Sequence, residues 1–468
     1  MGDANQIKTR QEKDSIGVIE IPADAYYGIQ TMRAAENFCI TGQHMHPETI
    51  NSIVYIKKAA AVTNLEAGKL DKKIADAIIA ACDEILSGKF LCQFITDPIQ
   101  GGAGTSFNMN ANEVIANRAI ELLGGEKGDY SLVNPNDHVN YGQSTNDVVP
   151  SCGRITIIIL LKKAAEELKR LYQALSEKAV EFDPVIKMGR THLQDAVPIR
   201  LGQEFRAYSE AIKRDIARFE QASKEMRSIN LGGTAVGTGL NADPYYLKRI
   251  VPNLADITGL DLIQSGNLID ATQNADGYTF VSGMVKTCAV NLSKICADLR
   301  LISSGPRTGF GEINLPPRQH GSSIMPGKVN PVIPEVVIQV AYNIIGNDMT
   351  ITMAAEAGQL EINVFEPVIF YNLFESIETL TNAVRSLVDN CIPGITANTE
   401  HCRNQVEKSV GIITAICPYV GYAKASILAK EAIQTGIPVR ELILRDKLLS
   451  EEELNKILDP YSMTEPEM

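Results

Sequence analysis

Ile155-Thr-Ile-Ile-Ile-Leu-Leu161 lies inside a longer run, residues 150–182, that carries apolar residues at three- and four-residue spacing. That spacing predicts a helix, and a helix that is apolar all round is buried on every side. Four more stretches repeat the pattern: 201–227, 275–303, 331–357 and 370–390. Helices of this length are well above the usual mean of about 11–12 residues. Five of them in one segment predict an all-α protein built on a central long-helix bundle rather than a β-rich domain. Small residues such as Ala289, Ser293 and Ala297 would let such helices pack closely. Faces apolar on more than one side predict packing against helices of other subunits.

The 468 residues exceed what one core holds, since single cores stop growing at roughly 250–300 residues. Three domains are expected. Residues 1–140 mix short helices with loops, 141–394 hold the long helices, and 395–468 form a small helical domain beyond Pro393-Gly394, interrupted at Pro418, Gly436 and Pro438. The net charge of −12 argues against nucleic acid as a general partner, because phosphate binding needs basic patches. An acidic chain that binds an acidic substrate must concentrate positive charge in its site. Nine cysteines with no Cys-x-x-Cys motif read as reduced core thiols of a cytoplasmic protein. The polar N-terminus has no apolar signal-like segment, and no stretch is apolar enough to predict a membrane span.

Four stretches of small polar residues interrupt the helical pattern: Gly101-Gly-Ala-Gly-Thr-Ser106, Gly142-Gln-Ser-Thr-Asn-Asp147, Gly189-Arg-Thr-His-Leu-Gln194 and residues 305–330. Each precedes a long helix. Helix N-termini present unpaired N–H groups and a positive dipole end, which makes them anion sites. Taken singly, Thr105, Ser106, Ser144, Thr145 and Asn146 are ordinary capping residues. Together, lining one cleft, the four stretches would suit a dicarboxylate. Two other motifs fail. Pro326-Gly327-Lys328 lacks the Ser/Thr and first glycine of a phosphate loop, and Gly237-Thr-Gly239 has no preceding strand for a dinucleotide site. His44 and His46 lack a third metal ligand nearby in sequence, and His401 reads as a surface residue.

Gly321-Ser-Ser-Ile-Met-Pro-Gly-Lys-Val-Asn330 resembles the signature of the aspartase/fumarase superfamily, and the stretches at 101–112, 138–147 and 189–198 resemble its other site segments. The similarity runs from Ala25-Tyr-Tyr-Gly-Ile-Gln30 to Pro418-Tyr-Val-Gly-Tyr422. It implies a three-domain, all-α fold whose central helices form a tetrameric core, with each site shared among subunits. The implied reaction is β-elimination giving fumarate through an aci-carboxylate. Ser322 would be the base. Thr105, Ser144, Thr145 and Ser323 would hold the β-carboxylate; Asn146, Thr191 and His192 the amino group; Lys328 and Asn330 the α-carboxylate. No metal or cofactor is required, with room for activation by Mg2+. Gly101–Asn110, Ser144-Thr145 and Asn134 are similar to the branch that eliminates ammonia from L-aspartate; the alternative is hydration by a class II fumarase. The glycines of 305–311 predict a mobile lid carrying Ser322. A non-catalytic scaffold is a further alternative, against which the intact Ser322, Lys328 and Asn330 speak.

Overall fold

The computed structural model describes residues 8–465. Its longest elements are the helices Thr145–Glu181, Leu201–Glu225, Asp276–Ile302, Val332–Glu356 and Glu366–Asn390, matching the five expected stretches within a few residues. The largest boundary difference is instructive. Pro150 would be expected at the first helical position, where its missing N–H costs nothing. Instead the helix starts five residues earlier. Pro150 has no N–H to give the carbonyl of Asn146, and that carbonyl takes the Asn230 amide instead, at 2.9 Å. Short two-stranded ladders, such as Ile186–Thr191 against Gln194–Arg200, are minor additions to an all-α protein.

The chain divides into two compact units. The first comprises residues 1–164, 218–286 and 343–378. In it the helix Pro47–Glu66 packs against Lys72–Leu86 and Pro244–Thr258. The start of the 145–181 helix meets the 366–390 helix at Gly153. A Cβ built there would lie 2.1 Å from Phe370 Cζ, so only glycine admits the ring. Tyr278 meets the same ring edge-on, with centroids 5.1 Å apart. The expected all-round-apolar stretch is indeed buried: Ile155, Ile157 and Leu161 are at most 1% exposed. The protomer alone buries these three, so they do not require a neighbouring subunit.

The second unit comprises 165–217, 287–342 and 379–468. Tyr208 donates to Asp298 at 3.0 Å and Asn291 to Asp215 at 2.9 Å, tying 201–225 to 276–302. Its short C-terminal helices gather Val406, Ile416, Leu428 and Leu442 around Ile186 and Met188 of the hairpin. Gly436, at φ +73°, ends the helix Tyr422–Thr435, as glycine does in the left-handed region. All nine cysteines are free thiols. Among the described residues no helix is long and apolar enough to cross a membrane.

Candidate active site

Two of the expected helix starts hold in the first unit. Thr105 opens the helix Thr105–Leu122 and Thr145 opens Thr145–Glu181. Gly104 precedes Thr105 at φ +87°, and a Cβ there would come within 2.8 Å of Val149, so glycine is demanded twice over. Thr105 is exposed and does not cap its helix; its hydroxyl donates to the carbonyl of Gly102 at 2.8 Å. Ser144 does cap. Its hydroxyl accepts from Asn146 N at 3.3 Å, while Asp147 accepts from Ser144 N at 2.9 Å, a reciprocal arrangement that fixes the turn. Asn146 donates its amide to the carbonyl of Ala235 at 2.7 Å, which leaves its oxygen as an acceptor.

Beneath these residues lies a group that sequence reasoning missed. Lys57, on the helix Pro47–Glu66, is fully buried. Its ammonium donates to Asn108 Oδ1 at 2.7 Å, Asn140 Oδ1 at 2.8 Å and Gln143 Oε1 at 2.9 Å. Asn108 in turn donates to Thr145 Oγ1 at 3.2 Å. Buried Asp147 supplies the compensating charge and also accepts from Gly232 N and Thr234 N, at 2.9 and 3.1 Å. Burial pushes Lys57 down to about 7 and Asp147 up to about 6, each opposed by the charge of the other. The signal was present: Lys57 falls among Ile53, Val54, Ile56, Ala60 and Ala61, on a face where a lysine has no business unless it is paired.

The remaining candidates belong to the second unit. The stretch 189–194 is not a helix start, as expected, but the tip of the hairpin Ile186–Thr191/Gln194–Arg200. His192 and Leu193 occupy its two turn positions at φ +54° and +61°, a left-handed pair suited to a two-residue hairpin turn. Thr191 and His192 are exposed there. The helix begins only at Leu201 because the ladder satisfies the intervening backbone.

The loop at 321–330 is closed on itself. Gly321 N donates to Lys328 O at 2.9 Å, and Asn330 Nδ2 donates to Gly321 O at 2.8 Å. Within it Ser322 Oγ accepts from Ile324 N at 3.2 Å and Met325 N at 3.1 Å. Two N–H donors on one hydroxyl oxygen favour its ionised form. Lys328 and Asn330 line a cavity of about 550 Å³ with Arg300, Asn314 and Glu335. Asn330 therefore shapes the loop as well as facing the cavity.

The stretch before the loop is more firmly held than a lid with hinges throughout. Glu312, fully buried, pairs with Lys187 at 2.6 Å and with Arg190, and Arg190 lies over the Phe310 ring. His401, exposed as expected, is also bonded to the carbonyl of Phe310 at 2.8 Å. His138 accepts from Asn134 N at 2.9 Å and His46 from Glu48 N at 3.1 Å, so both close local turns.

Two family models match the chain: one described as lyase over residues 17–346, and one described as fumarase C C-terminus over 412–465. An aspartate ammonia-lyase of Bacillus subtilis is 56% identical across 98% of this chain and 97% of its own length. The chain belongs to the aspartase/fumarase superfamily. Aspartate ammonia-lyases of Helicobacter pylori and Escherichia coli are 51% and 50% identical, each over 98% of the chain and 98% and 96% of their own lengths. Among solved structures, a fumarate lyase:delta crystallin of Brucella melitensis bound to cobalt superposes with a TM-score of 0.96. It is 49% identical over 98% of this chain and all of that one. A class II fumarase of Schistosoma mansoni superposes at 0.93 with 36% identity, over 97% and 99% of the two chains. The superfamily's lyase match contains every candidate residue from Thr105 to Asn330. The fold is thus common to the ammonia and water branches, while the sequence lies nearer the former.

Proposed function

We infer that this chain catalyses the aspartate ammonia-lyase reaction, the reversible conversion of L-aspartate to fumarate and ammonia. Relatives with that activity in their names share 50–57% identity over nearly the whole chain, against 36% for the class II fumarase. The difficult step is removing a proton from the carbon beside an ionised carboxylate. Catalysis must stabilise the extra charge of the aci-carboxylate more than the substrate. The observation that carries the chemistry is the pair of backbone N–H groups on Ser322 Oγ, which suits that oxygen to act as the base.

In this reading Thr145, Ser144, Thr105 and Ser323 take the β-carboxylate as hydroxyl donors. Thr105 must turn its proton away from Gly102 to do so. Asn146, held by Ala235 O, offers its oxygen to the substrate ammonium, with Thr191 and His192 beside the same group. Lys328 and Asn330 hold the α-carboxylate. No metal or cofactor is assigned a step; Mg2+ is proposed at most as an activator. The setting is cytoplasmic.

The assembly is a homotetramer that shares its sites among subunits. Support comes from Tyr342, Ile345, Met349 and Met353 on the Val332–Glu356 helix. Spaced by three and four residues, they are 66, 40, 63 and 64% exposed. Such an apolar stripe on a long helix marks an interaction face. The test of the reaction is direct: fumarate absorbance is followed with L-aspartate and, in parallel, with L-malate. A response to L-aspartate alone supports the reading. A response to malate alone would make the chain a hydratase, and silence with both would make it a scaffold.

A further inference from the structure

Lys57 is too deep to touch substrate, yet it dictates how the groups above it are oriented. An ammonium has three donors and no acceptor. With its three bonds directed at Asn108, Asn140 and Gln143, each of these amides must turn its oxygen toward Lys57 and its nitrogen away. For Asn108 the consequence reaches Thr145. Its Nδ2 donates one hydrogen to Asn140 Oδ1 at 3.3 Å and the other to Thr145 Oγ1 at 3.2 Å. Thr145 is therefore an acceptor toward Asn108, and its own proton is not consumed there. With the amide reversed, Thr145 would have to donate to Asn108 and could not also donate to a substrate oxygen.

We propose that Lys57 is a positioning residue which, through Asn108, keeps the Thr145 hydroxyl proton available to the aci-carboxylate. This rests on the carboxylate-binding role given to Thr145 above. The effect belongs to the transition state, because the oxygen that gains charge only then gains most from the donor. Asp147 balances the buried charge and, by fixing Ser144 N, keeps the same turn in register. The helix Thr105–Leu122, through Asn108, and the loops at 140–147 and 230–235 thus converge on one buried pair.

The test is a double-mutant cycle. Asn108→Asp is nearly isosteric and keeps an oxygen on Lys57, but it removes the hydrogen given to Thr145 and forces that hydroxyl to donate inward. Its expected effect is a loss of about 100-fold in kcat, the scale of one oxyanion donor, with KM for L-aspartate changed far less. In a Thr145→Val background the same substitution should cost no more than about threefold, because the proton it misdirects is already gone. Asn140→Asp places the same new charge against Lys57 without touching the bond to Thr145, and should cost at least about tenfold less than Asn108→Asp. If Asn108→Asp fails to assemble, Lys57→Met is read by the same coupling to Thr145→Val. Full additivity, or a normal kcat in Asn108→Asp while Thr145→Val is crippled, would overturn the relay alone. A normal kcat in Thr145→Val itself would overturn both the relay and the carboxylate role on which it stands.

Discussion

Ser322 and Lys328 sit six residues apart in sequence order but do different work, and substitution separates them. Ser322→Ala removes the oxygen that receives Ile324 N and Met325 N, leaving the rest of the loop closure between Gly321 and Lys328 intact. The expected result is a kcat lower by at least about 100-fold with unchanged melting temperature, since only the proton-transfer group is lost. Near-normal turnover in a folded Ser322→Ala enzyme would remove Ser322 as the base. Lys328→Ala should act chiefly through substrate binding, raising KM for L-aspartate by about tenfold or more, the worth of one charged hydrogen bond. An unchanged KM would deny it the α-carboxylate. Both residues were legible because their loop breaks every helical pattern around it and resembles a known signature. Lys57 carried only the signal of a lysine on an apolar face, which reads as a snorkelling side chain until its partners at 108, 140 and 143 are brought over it. Those partners lie 51 to 86 residues away, and no local pattern announces them.

At the scale of elements, periodicity located the long helices well because they are long. It placed the 145–181 helix start too late, because a local rule for proline was overridden by a distant amide, Asn230. It also read the 189–194 stretch as a helix start, because glycine and threonine before an apolar run look alike whether a hairpin or a cap intervenes. Two predictions belong here. Gly153→Ala would gain about 1 kcal/mol of intrinsic helix propensity, but the new Cβ meets Phe370 Cζ at 2.1 Å. Overpacking of this kind costs typically about 1–3 kcal/mol, and a contact so short falls at the upper end. Net destabilisation is expected in a denaturant melt, with partial recovery in the double variant with Phe370→Leu; a more stable Gly153→Ala would show that the helices separate freely. Glu312→Leu removes the buried carboxylate between Lys187 and Arg190, leaving Lys187 with Glu204 alone and half-buried Arg190 without its closest partner. Breaking a buried pair this way typically costs about 3–5 kcal/mol. It should also loosen the Gly305–Glu312 stretch, read as faster amide exchange at Gly311 and Glu312, whose N–H groups are bonded to Ser304 and Ile302. Unaltered exchange there would mean the buried carboxylate does not anchor the loop.

At the scale of the whole molecule, the candidate residues fall into two sets. Thr105, Ser144, Thr145 and Asn146 belong to one compact unit, and Thr191, His192, Ser322, Ser323, Lys328 and Asn330 to the other. Sequence reasoning looked for the oligomer in helices apolar on every side, yet Ile155 to Leu161 is covered largely within the protomer. The outward stripe is instead Tyr342, Ile345, Met349 and Met353, which the hydropathy pattern alone could not distinguish from an inward face. If that stripe assembles a tetramer whose sites draw Ser322 and Thr145 from different subunits, two crippled enzymes should complement one another. Ser322→Ala and Thr145→Val are each expected to keep at most about 1% of normal activity alone. Dissociated, mixed in equal amounts and reassembled, they form sites in which the serine comes from one variant and the threonine from the other. Random mixing makes about a quarter of all sites fully wild type, so activity should recover to about a quarter of the normal value. Charged substitutions on the stripe, such as Met349→Glu with Met353→Glu, should abolish both the tetramer on sizing and this recovery. A mixture that reassembles to tetramers but stays inactive would mean that each site is built within one chain.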